Sequence, residues 1–159
     1  MKKLMFALIA FATLGLVGCE DDYTPSVSLQ QTFENQYPNA TQVEWEKERR
    51  HYVVDFFYEN HECEAWYNRA GKWVLTIVDL NISELPTEIK SDFEQRYGLN
   101  TPMDDVARID RNNTISIYVI ETEQVVNGIL VDIIVEYDAN GDFLGNSVET
   151  WVDYIYDYL

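Results

Sequence analysis

Positive charge is scarce in this chain of 159 residues: 11 Lys+Arg stand against 28 Asp+Glu, a formal net charge of −17 at pH 7. A surface of that sign repels phosphate backbones and anionic head groups, so nucleic acid is not an expected partner. A basic partner, a cation or simple solubility remain open. Glycine is also scarce, at 7 residues spread along the chain, and no Gly-rich loop exists to cradle a phosphate. Histidine is limited to His51 and His61, and cysteine to Cys19 and Cys63. A structural zinc site wants four ligands in close pairs. His61-Glu62-Cys63-Glu64 offers one pair and the chain lacks the second. Asp138, Asn140, Asp142 and Glu149 fall at positions 1, 3, 5 and 12 of a calcium loop, but Phe143 occupies position 6, where glycine is required. An acidic turn is the better reading, with weak calcium binding left open. No Ser, His and Asp stand on a strand–turn–helix suited to a nucleophile elbow. A carboxylate pair for glycoside hydrolysis would need a deep cleft that a chain this small does not easily build. No catalytic residue and no cofactor are therefore expected.

The apolar run from Leu4 to Val17 is shorter than the roughly 20 residues a membrane span needs. It is bounded by Lys2-Lys3 and by Cys19-Glu20-Asp21-Asp22, the layout of a secretory signal. Its end, Leu16-Val17-Gly18-Cys19, resembles the bacterial lipobox. The resemblance implies cleavage between Gly18 and Cys19 and acylation of Cys19, whose several chains would give a stable lipid anchor. Cleavage leaves nine Lys+Arg against 28 Asp+Glu, a net charge of −19. With Cys19 acylated, Cys63 has no partner and reads as a small core residue. Glu20-Asp21-Asp22 also resembles the surface-export signal of some Gram-negative lipoproteins; a solvated tether explains the same residues.

Two stretches recur. Phe33-Glu34-Asn35-Gln36-Tyr37 returns as Phe93-Glu94-Gln95-Arg96-Tyr97, with Leu29 matched by Ile89 at the same offset of 60. Apolar residues at i, i+4 and i+8 share one helix face. Pro86 suits a first helical position and Pro38 a stop. Tyr67 to Trp73 returns as Tyr137 to Phe143 at an offset of 70, an aromatic-flanked hairpin with its glycine in register. The growing offset places an insertion at Asn100 to Asp105 and at a longer hairpin around Asn127-Gly128.

Between these landmarks the period is two, as strands require. The pattern predicts strands at Thr41–Glu46, His51–Tyr58, Glu62–Asn68, Trp73–Val78, Asp105–Ile109, Thr114–Thr122, Ile129–Tyr137 and Phe143–Gly145. A closing helix from Val148, capped by Ser147, carries Val148, Trp151, Val152, Ile155 and Leu159 on one stripe. An edge strand is the alternative, because Tyr154, Tyr156 and Tyr158 also alternate. The expected fold is α+β: a tandem repeat of a helix plus a four-stranded antiparallel sheet, with the helices packed on one face of a shared sheet. Its divisions are a signal peptide at residues 1–18, an acidic tether at 19–27, a first unit at 28–80 and a second at 81–159. The helix-covered face is expected to hold Tyr52, Val54, Phe56, Cys63, Ala65, Tyr67, Ile115, Ile117, Val131 and Ile133.

Tyr37-Pro38-Asn39-Ala40 leading into Val43-Glu44-Trp45, then Tyr67 to Trp73, then Leu85-Pro86, resembles the PepSY-like family of bacterial envelope proteins. Their fold is likened to that of the beta-lactamase inhibitor protein. The resemblance spans about Leu29 to Phe143 and rests on turn and core residues. It implies tandem units, no catalytic residues, a periplasmic or surface location, and a role in binding or inhibiting another protein. Inhibition of beta-lactamases does not follow from fold likeness.

Alternation assigns Asp55, Phe57, Glu62, Glu64 and Trp66, with Tyr118, Leu130, Asp132 and Ile134, to the face away from the helices. Aromatic and aliphatic residues among acids on an open face suggest a protein-binding surface, for which Asp55, Phe57, Glu64, Trp66, Tyr118, Asp132 and Ile134 are the candidates. Cover by loops, by curling of the sheet or by a second molecule would explain the same pattern. The expected function is a non-enzymatic, lipid-anchored envelope protein that binds another protein; a small-ligand or cation-sensing module is the alternative.

Overall fold

The computed structural model describes residues 23–112, 114–148, 151–156 and 158–159. The predicted signal, Gly18 and Cys19 lie outside the described residues, as does Glu149. Helix α1 (Val27–Gln36) is followed by β1 (Thr41–Glu48), β2 (His51–Tyr58), β3 (His61–Asn68) and β4 (Trp73–Asp79). A 3₁₀ turn (Ile82–Glu84) leads into α2 (Thr87–Tyr97), then β5 (Asp105–Arg111), β6 (Ile117–Val126), β7 (Ile129–Asp138), β8 (Phe143–Ser147) and α3 (Trp151–Tyr156). The strands form one antiparallel sheet in the order β1-β2-β3-β4-β5-β6-β7-β8.

Local chemistry accounts for these elements. Ser26 caps α1, its side chain accepting from the Leu29 amide at 3.3 Å. Leu29 and Phe33 are buried one turn apart, and the chain leaves the helix at Tyr37, just ahead of Pro38. Pro86, expected at the first helical position, instead sits at the N-cap of α2, one residue ahead of Thr87, and Gly98, at φ 106°, closes the helix. Asn68 and Asp138 organise the two glycine hairpins alike: each side-chain oxygen accepts from the amides two and four residues on. Asn127 and Gly128, both at positive φ, make the tight turn between β6 and β7. That hairpin pairs ten residues a side, against eight between β2 and β3, so part of the predicted insertion lengthens it.

The expected tandem of helix-plus-four-strand units is corrected. β4 pairs with β5 from Leu75↔Arg111 to Asp79↔Ala107, which makes the molecule one open eight-stranded sheet with three short helices. The helices are not all on one face. α1 covers Val54, Phe56, Cys63, Ala65, Tyr67 and Val78. α2 covers Val106, Ile120, Ile133, Val135 and Tyr137 on the same side, and Leu80 packs against both clusters. The C-terminal segment instead packs Tyr154 and Ile155 on the opposite side, over Val53, Trp66, Leu75, Ile77, Ile109, Ile117, Val119 and Ile134. The edge-strand alternative is thus overturned. The helix starts beyond the expected Val148, which is exposed, and the expected cap Ser147 lies in β8.

The phase of β6 is also corrected. Ile117 faces the α3 side, while Tyr118 faces the α2 side opposite Tyr137. Ile115 precedes the strand and is exposed. Both faces of β6 are covered, so apolar residues stand on both and alternation alone does not choose between them.

Candidate functional site

The α3 side of the sheet divides along its strands. At the end nearer the β1–β2 and β3–β4 turns, the C-terminal segment closes it. The Tyr156 hydroxyl donates to Glu48, and its ring meets the Trp66 ring edge-on at 5.9 Å. The Tyr158 hydroxyl donates to Glu136 at 3.0 Å, and the Arg111 guanidinium lies 4.6 Å over the Tyr158 ring. Toward the other end the face carries a band of carboxylates.

Register builds that band. Glu44 lies across from Asp55, and Asp55 from Glu64; Phe57 lies across from Glu62. Asp105 faces Glu121, and Glu123 faces Asp132. Asp79 ends β4 within the field of Glu62 and Asp105. Burial first, then the charges of Glu46 and Glu44, raise the Asp55 carboxyl to about 6. Burial and then Asp55 raise Glu64 to about 8, although the Trp66 indole N–H donates to it and pulls the other way. Burial followed by Glu62 and Asp105 takes Asp79 to about 7. Burial followed by Asp105, Asp132 and Asp104 takes Glu121 to about 7. Among the described residues, no Lys or Arg forms an ion pair with Asp55, Glu64, Asp79 or Glu121. The Glu121 Oε2 atom is buried and without a hydrogen-bond partner.

Beside this band the β6–β7 hairpin projects as an arm. β5 pairs with β6 only as far as Glu121, and β8 with β7 only from Ile134, so the tip is flanked by neither neighbour. It exposes Val125 (69%) and Leu130 (58%) as a pair on one face and Val126 (43%) and Ile129 (66%) as a pair on the other, on a strongly acidic protein. Exposed apolar patches of this kind mark interaction sites.

The seven candidate surface residues separate. Asp55, Phe57, Glu64 and Asp132 share the carboxylate end of the α3 side. Trp66 and Ile134 are on that side but buried, at 6% and 1% exposure, in the cluster that α3 closes. Tyr118 is on the opposite side. The residues that sequence reasoning left out are Asp79, Glu121 and the arm's Val125, Val126 and Ile129. Their signal was legible: Val125-Val126-Asn127-Gly128-Ile129-Leu130 puts aliphatics on both faces of a hairpin end, where no core can reach both.

The other candidate chemistry resolves into structure. His61 Nδ1 lies 2.8 Å from the Asp79 carbonyl, and Nε2 lies 3.4 Å from Glu84. Cys63 is buried under α1, and burial pushes its thiol up to about 12, far from a reactive thiolate. Among the described residues no group of three or more His, Cys, Asp or Glu is arranged to hold a metal ion.

The geometry is that of an open antiparallel sheet with two helices on one face and a short closing segment on the other. The family model described as "Putative beta-lactamase-inhibitor-like, PepSY-like" matches residues 22–60 and 56–145, and the chain belongs to that family. Crystal structures share the fold. A DUF2874 family protein from Bacteroides ovatus superposes with a TM-score of 0.71 at 25% identity, over 79% of this chain and 88% of that one. A BLIP-like protein from Bacteroides fragilis gives 0.71 at 27% identity, over 79% and 86%. A protein from Bacteroides eggerthii described as "putative periplasmic" gives 0.69 at 19%, over 79% and 88%. No curated protein matches the chain.

Proposed function

We propose that this chain is a non-enzymatic, lipid-anchored protein of the bacterial envelope that binds another protein through the carboxylate end of its α3-side sheet face and the adjoining hairpin arm. The observation that carries the reading is the crowding of Asp55, Glu64, Asp79 and Glu121, with no ion-paired Lys or Arg among the described residues, next to four exposed aliphatics. Lys or Arg side chains from a partner would relieve that repulsion, and an apolar groove would take the arm. Binding would expel the protons that these carboxyls hold near neutrality, so affinity should rise as pH rises from about 6 to 8. Membership of a beta-lactamase-inhibitor-like family supports a protein-binding role, and the naming of the Bacteroides eggerthii protein as periplasmic supports an envelope location. The lipid anchor rests on the Leu16 to Cys19 motif.

Photo-crosslinking residues placed at Phe57, Asp132 and Leu130 in growing cells test the surface. A common adduct from all three, absent from a site at Lys90 on α2 and weakened by Asp55→Asn with Ile129→Ser, supports it. Adducts only at Lys90 would move the interface to the helix side. A melting temperature raised by calcium, with no adduct at any site, would favour the cation-sensing alternative.

A further inference from the structure

Five of the nine Lys and Arg that follow the predicted signal cluster: Lys47, Arg49, Arg50, Arg69 and Lys72 lie in or beside the β1–β2 and β3–β4 turns, at one end of the sheet. All five are exposed. Arg49 reaches Glu48 only at 4.0 Å and lies over the Tyr156 ring at 3.8 Å, and among the described residues the other four form no ion pair. The carboxylate band and the hairpin arm occupy the opposite end, an eight-residue strand away, or roughly 26 Å. The carboxylate band and this cluster of cations thus lie at opposite ends of the sheet, while Glu48 and, in the β7–β8 turn, Asp138 and Asp142 share the basic end.

The chain also enters at the basic end. The Tyr23 ring stacks on Tyr52 at 5.1 Å and 13°, and Tyr52 is the second residue of β2, just past Arg49-Arg50. Cys19 is four residues before Tyr23, so even a fully extended connection holds it within about 14 Å of that contact.

We infer that the Arg49-Arg50 and Arg69–Lys72 turns rest on the anionic phospholipid headgroups of the leaflet that holds the acylated Cys19, which turns the carboxylate end and the arm away from the membrane. The inference rests on the acylation of Cys19. A short tether fixes which end of the sheet meets the bilayer, and the exposed cations there match its charge. Each basic side chain near such a surface strengthens the contact about fivefold. The carboxylate band lies several Debye lengths off at physiological salt, so its charge opposes the contact only weakly. Facing away, the carboxylate band stays accessible to a partner in the aqueous phase. Competitors for the cations lie on the same chain: Glu48, Asp138 and Asp142 at the same end of the sheet, and Glu20, Asp21 and Asp22 of the tether.

The full chain is expressed with its own signal and the mass of its Cys19 peptide measured. The protein is then reconstituted in phosphatidylcholine vesicles with or without phosphatidylglycerol. Acetylation of Lys47 and Lys72 by a neutral reagent is followed by mass spectrometry, with Lys90 reporting the reagent's own access. Phosphatidylglycerol should slow both lysines about fivefold relative to Lys90, and salt raised to about 1 M should abolish the difference. Arg50→Gln with Arg69→Gln, which spares the arginine over Tyr156, should remove most of it. Equal rates on the two vesicles overturn the orientation. So does protection already present on phosphatidylcholine and relieved by Glu20→Gln, Asp21→Asn and Asp22→Asn, which would assign the cations to the tether. An unmodified Cys19 removes the anchor and this inference with it, but leaves the binding surface to its own crosslinking test.

Discussion

Replacing Glu64 by Gln should stabilise the protein, and by an amount that depends on pH. Glu64 stands between Asp55 on β2 and Ile77 on β4, half-buried, with its carboxyl raised from an ordinary 4.5 to about 8. Between those two values the folded protein holds a proton that the unfolded chain has released. Stability therefore falls as pH rises through that window, and the loss is complete above the folded value. At pH 7 the full shift would cost roughly 3 kcal/mol, at about 1.4 kcal/mol for each pH unit above the unfolded value. Water at a half-buried site screens part of this, and Asp55 shares the relief, so about 1–2 kcal/mol is expected. Gln keeps a carbonyl to accept the Trp66 indole N–H and carries no charge. Urea denaturation of Glu64→Gln and the parent should show a gain near zero at about pH 5, rising to a plateau above about pH 8, with the denaturant slope unchanged. A gain of the same size at every pH would mean that packing, not charge, is responsible. A loss at every pH would mean that the carboxylate is wanted where it is, and the repulsive band would need another explanation.

Two further substitutions probe the helix side, with Gly128→Ala at the arm's tip as the comparison. Phe93→Ala removes a fully buried ring from the α2 cluster and should cost about 3–5 kcal/mol in chemical denaturation; a cost below about 1 kcal/mol would mean that α2 does not hold the sheet. Gly141→Ala should lower the melting temperature more than Gly128→Ala. Both sit at positive φ, but a Cβ at Gly141 would come within 2.9 Å of the Glu88 Cβ on α2, whereas nothing lies within 4 Å at Gly128.

Acid-rich composition, the strand positions, the hairpin glycines and the helix stripes through Phe33 and Phe93 could be read without coordinates, because each is a local pattern of charge, turn chemistry or period. The seven surface candidates fared unevenly for a physical reason. Asp55, Phe57 and Glu64 lie on a strand pair whose α3-side end is uncovered, and there alternation separates the two faces cleanly. Trp66 and Ile134 continue the same faces toward the covered end, and their burial depends on a helix many residues away in sequence. Tyr118 belongs to a strand with apolar residues on both faces, where a period of two gives no phase.

The amino-acid order alone settled which residues alternate, where the chain turns and how acidic its surface is, since those properties belong to neighbours along the backbone. Only the folded molecule decided that β4 and β5 join everything into one sheet, and that the last helix crosses to the far side. It alone brought five cations to the end where the chain enters and Asp55, Glu64, Asp79 and Glu121 together toward the other. Those are relations between distant segments, set by which surfaces bury one another.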